Sequence, residues 1–302
     1  MKIVLKAFRL RKNEGVTLIE LLVAMAISAI LIAAIYRTFI SQQKTYTVQE
    51  QVVDMQQNVR VAINRMMREI RMAGFGNVSN ILPPQGQAFT ARDGSKTITF
   101  SYIINPGDNK NNVNQADDQI TILGAFEKVS TLAKEPEEGK EDVIQLAEKG
   151  DEFDLAYRKY ICIGGLETNM ITKLSGNAIT LDSKLVNKFA VGTPVYKVKA
   201  ITYQLRPDNR DHNMPVLTRE DNTDGGGSQV VAENIENLQF RYILEDRTES
   251  DTPADPSKIR MIRLVVTART SMSDPEFKGG TGGFRRRTIT SNIHVRNMGL
   301  NP

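Results

Sequence analysis

Residues 11–30 read RKNEGVTLIELLVAMAISAI, and the reading of this stretch decides the fold. It starts basic, passes through Gly15, and becomes an apolar run from Val16 to Tyr36 interrupted only by Thr17, Glu20 and Ser28. About 20 apolar residues are enough for a helix to cross a bilayer, so the length fits. A carboxylate inside such a run costs roughly 3 kcal/mol or more, and residues of this kind usually have a partner. No Lys or Arg lies in the run before Arg37, so a cation for Glu20 is expected to come from another molecule.

Five of the 39 basic residues and one of the 35 acidic residues fall in residues 1–15, which leaves 34 of each in the remainder. The positive-inside rule then keeps residues 1–15 cytoplasmic and sends the C-terminal bulk outward. A cleaved secretory signal would show small residues in an A-x-A arrangement after its apolar part. Here the run continues into Tyr36-Arg37-Thr38-Phe39. A twin-arginine signal fits poorly, since Leu10 separates Arg9 from Arg11.

From Val16 to Ala73 there are 58 residues without glycine or proline, the two strongest helix breakers. Beyond Ser41 the apolar residues Val48, Val52, Met55, Val59, Ala62, Met66, Ile70 and Ala73 alternate spacings of three and four. That is one face of an amphipathic helix meeting a core. Gly74 and Gly76 are expected to stop it. A helix of this span is about 87 Å long at 1.5 Å per residue. Its first half is apolar all round and must sit in lipid or among similar helices.

Lys12-Asn13-Glu14-Gly15-Val16-Thr17-Leu18-Ile19-Glu20, followed at once by the apolar helix, resembles the class III signal of type IV pilins and pseudopilins. The resemblance implies that prepilin peptidase cuts after Gly15 and that the new N-terminal residue, Val16, is N-methylated. Phenylalanine is commonest at that position, so Val16 departs from the usual pattern. The resemblance also implies that Glu20, with Thr17 beside it, serves subunit pairing, the glutamate neutralising the N-terminal amine of a neighbouring subunit. Such pairing gains strength where water is excluded. The implied location is the inner membrane, single-pass with the C-terminal domain periplasmic, and then the pilus at the cell surface.

Past residue 76 the pattern changes. Residues 77–96 and 105–118 read as loops, and 134–142 as a charged surface insertion. Period-two alternation places Ile98, Phe100, Tyr102 and Ile104 on one face of a strand. Leu238, Phe240, Tyr242 and Leu244 form a second such face, Ile262, Leu264, Val266 and Ala268 a third, and Ile289, Ser291, Ile293 and Val295 a fourth. These are half-buried strands of a mostly antiparallel sheet. Further strands are expected at 119–124, 153–163, 169–181 and 194–205, with ITYQL and VLTRE forming a hairpin. The expected fold is therefore α+β. A leader (1–15) precedes a long N-terminal helix (16–74, membrane or filament part about 16–36), whose amphipathic second half packs on a β-rich globular domain (75–302). The patches RMMREIRMAGFG, VAENIENLQFRY, IRMIRLVVTART and HVRN resemble the large minor pilins of the PilW type.

Chemistry is thinly represented. Cys162 is the only cysteine, so the chain forms no internal disulfide, and its apolar setting YICIG predicts a buried, inert thiol. No GxSxG, HExxH or P-loop pattern occurs. Asn209, Asp211, Asn213 and Glu220 follow calcium-loop spacing, but Met214 stands where the loop needs glycine. His212 and His294 read as surface residues. Arg285-Arg286-Arg287 read as a strand end pairing with carboxylates; contact with nucleic acid is the lesser alternative, because the chain past its leader has no basic excess. No cofactor, metal or catalysis is expected. The partners implied are the peptidase and other minor and major pilins. The readings are a minor pilin that primes or caps a type IV pilus, a pseudopilin of type II secretion, and an uncleaved membrane-anchored enzyme or receptor. Glu20 argues against the one tip pseudopilin that characteristically lacks that glutamate.

Overall fold

The computed structural model describes residues 15–83, 88–93, 96–108, 118–137, 140–148, 150–208, 214–225 and 227–298. The chain divides into two compact units between Gln51 and Val52. Helix α1 (Leu18–Met72) is 55 residues long, as expected from a stretch free of glycine and proline.

In the first unit α1 is long and apolar enough to cross a membrane, and none of its apolar window is buried. Three of its threonine hydroxyls, those of Thr38, Thr45 and Thr47, turn back onto the helix backbone. Thr38 Oγ1 donates to the Ala34 carbonyl at 3.0 Å and Thr45 Oγ1 to the Ser41 carbonyl at 2.9 Å. A helix that turns its polar groups back onto its own backbone suits surroundings without water.

The second unit holds fifteen strands among the described residues, all paired antiparallel. They are β1 (Phe89–Asp93), β2 (Lys96–Phe100), β3 (Ile104–Asp108), β4 (Asp118–Thr131) and β5 (Val143–Gln145). Next come β6 (Tyr160–Ile163), β7 (Glu167–Ser175), β8 (Ala178–Leu181), β9 (Pro194–Pro207) and β10 (Pro215–Asp221). The last are β11 (Ser228–Glu233), β12 (Ile235–Leu244), β13 (Glu249–Ser250), β14 (Ile259–Arg269) and β15 (Arg286–His294). The nine-stranded sheet runs β11-β10-β9-β6-β7-β8-β5, with β4 also on β9 and β3 on β4. A four-stranded sheet runs β13-β12-β14-β15, and β1-β2 is a separate hairpin.

Side-chain alternation on β4 and β9 explains the layering. Ile120, Ile122, Ile201, Tyr203 and Leu205 enter a core shared with Met55, Val59, Ala62, Ile63, Met66 and Ile70 of α1 and with β12 and β14. The opposite face sends Leu123, Ala125, Val198 and Ala200 into a second core with Phe89 and Phe100 of the hairpin. A third core lies among β5 to β8 and includes Ile144, Ile161, Ile171 and Ile179. The middle of the large sheet is thus covered on both faces.

One polar cluster fixes α1 to the sheet. The Tyr203 hydroxyl donates to Glu69 at 2.6 Å, and Arg219 Nε donates to the same carboxylate at 3.1 Å. Burial, then the Glu69 charge, pushes the Tyr203 phenol well above its usual range. Glu69→Ala leaves the buried Tyr203 hydroxyl and the largely buried Arg219 without this acceptor. We expect it to cost about 2 kcal/mol, read as a lower thermal midpoint. A midpoint equal to the parent's would show that water replaces the carboxylate.

Several expectations need correction. The single strand expected over 97–104 is two strands in different sheets, split by a bend at 102–103. There Asn105 Nδ2 donates to the Tyr102 carbonyl at 2.6 Å. Residues 77–96 are not all loop: Val78–Ile81 is a 3-10 turn and β1 follows. The start of the 105–118 loop is β3, an edge strand that tolerates Pro106. Residues 153–159 are not strand, because Asp154 Oδ1 takes the N–H groups of Ala156 at 2.8 Å and Arg158 at 3.2 Å. The 169–181 stretch is a hairpin, β7-β8, turning at Gly176 with φ 61°. The ITYQL–VLTRE hairpin forms as expected, with Leu205 opposite Leu217.

Candidate functional site

Thr17 stands immediately before the first helical residue, Leu18, and Glu20 lies in the first turn. The Glu20 Oε2 atom accepts from Thr17 N and from Thr17 Oγ1, both at 2.9 Å. In return Thr17 Oγ1 accepts from Glu20 N at 3.4 Å. This is a reciprocal capping box: each residue satisfies a backbone N–H that the helix leaves unpaired. The carboxylate also lies at the positive end of the helix dipole.

The geometry refines the expectation for Glu20. Its hydrogen-bond donors come from its own chain, so its partners are not wholly external as the apolar run suggested. The spacing Thr-x-x-Glu is the sequence signal for this cap, and it lies inside the apolar run. Gly15 lies just outside the helix, and a Cβ built on it meets nothing within 4 Å. Val16 is 75% exposed. Cutting the Gly15–Val16 bond would place a new amine one residue before the cap, where the helix dipole is unfavourable to a cation. In the chain left by that cut Glu20 is the nearest anion in sequence, so cap and charge compensation meet in one carboxylate.

The other candidates separate from this site. Arg286 donates to both carboxylate oxygens of Glu236, and Arg285 pairs with Asp274 at 3.4 Å and lies over the Phe277 ring at 4.3 Å. Arg287 is exposed on β15. Two of the three arginines therefore meet carboxylates. Asn209, Asp211, His212 and Asn213 lie outside the described residues. Glu220 sits within β10 and accepts from Arg206 at 2.9 Å across the hairpin. Among the described residues no group of three or more His, Cys, Asp or Glu side chains is placed to hold a metal ion. His294 is exposed at the end of β15. Cys162 is buried at 0% exposure, and burial pushes its thiol up to about 11.

Residues 10–36 match the family model described as the prokaryotic N-terminal methylation motif. The matched segment contains Gly15, Val16, Thr17 and Glu20 together with the apolar first part of α1. Taken with the helix-then-antiparallel-sheet layout, it supports a type IV pilin-like or pseudopilin precursor that prepilin peptidase processes and whose helix anchors in a membrane. No curated protein matches the chain. No solved structure matches it either.

Proposed function

We propose that this chain is a minor pilin, a non-catalytic structural subunit that enters the complex priming or capping a type IV pilus. The observation that carries this reading is the signal itself. A basic leader, Gly15 and the Thr17–Glu20 cap open directly onto a continuous helix whose first part is apolar and uncovered. After extraction from the bilayer, that apolar part packs among the helices of other pilins, while the β-domain remains in water. The patch resemblance to PilW-type minor pilins supports this reading over the alternatives.

The same signal opens pseudopilins of type II secretion, so that reading stands second. Deleting the gene separates the two: loss of piliation and twitching with secretion intact supports the first, and loss of protein secretion with normal pili overturns it. Intact mass of the protein purified from its own membrane tests the shared part. The expected chain begins at N-methylated Val16. A chain retaining Met1–Gly15 would sink both and favour an uncleaved anchor.

Glu20→Ala tests the pairing role. Loss of the capping box costs about 1 kcal/mol at one helix end, which leaves the β-domain intact. The variant should be cut and methylated normally yet recovered poorly in sheared filaments. Incorporation equal to the parent's would remove Glu20 from assembly.

A further inference from the structure

The last turns of α1 and the segment following β15 line a solvent-open groove of about 400 Å³. Its described lining is Asn64, Met67, Arg68, Arg71, Met72 and Arg296. Three arginines therefore line one space, and among the described residues no Asp or Glu lines it. Asn64, Arg68 and Arg71 fall at i, i+4 and i+7, one stripe of the helix, while Met66 and Ile70 on another face are fully buried. Arg296 comes from a different element, and its backbone is held on both sides. Val295 N donates to the Arg260 carbonyl at 3.1 Å, and Asn297 Nδ2 donates to the Ala73 carbonyl at 3.2 Å.

This cluster differs from several other arginines of the β-domain, which meet carboxylates. Arg206 pairs with Glu220 and Arg260 with Glu245 at 2.8–2.9 Å, and Arg263 pairs with Glu249 at 2.7 Å. A basic residue in a helix's last turn complements the negative end of the dipole, which accounts for Arg71. It does not account for Arg68, a turn earlier, or for Arg296. The final carbonyls of α1 already have a donor in Asn297. Three like charges held at one groove repel unless an anion joins them.

We propose that the groove is an oxyanion site that takes phosphate groups. A guanidinium is a rigid fork that grips oxyanions through two parallel hydrogen bonds. A carboxylate offers two oxygens in one plane, which suits one fork. Forks arriving from two elements suit a tetrahedral group with three or more free oxygens. The Asn64 amide adds a neutral donor, and the flexible Met67 and Met72 side chains form an adaptable floor. A free phosphate compound and a phosphodiester chain share this chemistry.

The test titrates the full processed protein, in non-ionic detergent at low salt, with inorganic pyrophosphate by calorimetry. Saturable binding is expected. The double variant Arg68→Gln, Arg71→Gln should weaken it at least about tenfold, and Arg296→Gln should weaken it similarly. Arg287→Gln, exposed but outside the groove, should leave it unchanged. Should the double variant melt early, the single Arg296→Gln variant carries the comparison. A dodecamer of deoxythymidylate that displaces pyrophosphate assigns the site to a phosphodiester chain, and one that does not assigns it to a free phosphate compound. Absence of saturable binding, equal affinity in the groove variants, or tighter binding of succinate than of pyrophosphate would each overturn the proposal.

Discussion

Gly15→Val yields a folded protein that keeps its leader. No contact within the chain requires glycine at this position: it precedes the helix cap, and an added Cβ meets no atom within 4 Å. Under the proposed function, the requirement for glycine comes from outside the fold, from the peptidase that cuts after it. The variant should accumulate in the membrane with residues 1–15 attached and Val16 unmethylated, detected as a heavier intact mass with no mature species. Its thermal midpoint should equal that of an unprocessed parent. The expected loss is close to complete, because in the proposed function methylation and entry into a filament both wait on the cut. A variant processed as fast as the parent would falsify the assignment of Gly15.

Gly76→Ala acts inside the fold. Gly76 has φ 94°, and a Cβ there would stand 2.7 Å from Cys162 Sγ and 2.8 Å from Ala125 Cβ. The surroundings cannot easily give way. The Gly76 carbonyl accepts from Thr168 Oγ1 at 2.6 Å, and the neighbouring Phe75 carbonyl accepts from Ala125 N at 2.9 Å. Backbone strain and overpacking together should cost about 4 kcal/mol. Domains of this kind are typically stable by roughly 5–15 kcal/mol. We expect a midpoint lowered by about 10 °C and a collapse in yield. A fall of less than about 2 °C would mean that β4 and β6 yield to the methyl group.

The contrast between these two glycines shows what the sequence made legible. The signal around Gly15 is read from neighbours in the chain, and helix length follows from the lack of breakers between Val16 and Ala73. Both are local properties. The stop at Gly74 and Gly76 was legible too, but the reason Gly76 must be glycine was not, since Cys162 lies 86 residues away. Strand breaks were hidden for a different physical reason. Asn105 bends the backbone at Tyr102, and Asp154 captures three N–H groups that a ladder would otherwise use. Side chains of this type compete with the sheet locally, and alternation of apolar residues carries no trace of the contest. At the candidate site, the Thr17–Glu20 cap was written in the spacing, whereas the arginine groove joins residues 64–72 to residue 296 and could be seen only in the fold.

Asn297 ties the end of the described chain to the Met72 and Ala73 carbonyls, a bond spanning 225 residues. The core face of α1 beside that bond is finished by β12, β14 and β15, strands that lie far from it along the chain. The apolar side of the helix must therefore wait, open, until those strands have formed. Contacts this distant in sequence slow folding and prolong the interval in which such surfaces meet strangers. A subunit built in this way would depend on a chaperoning membrane or partner at the start of its life as well as at its destination.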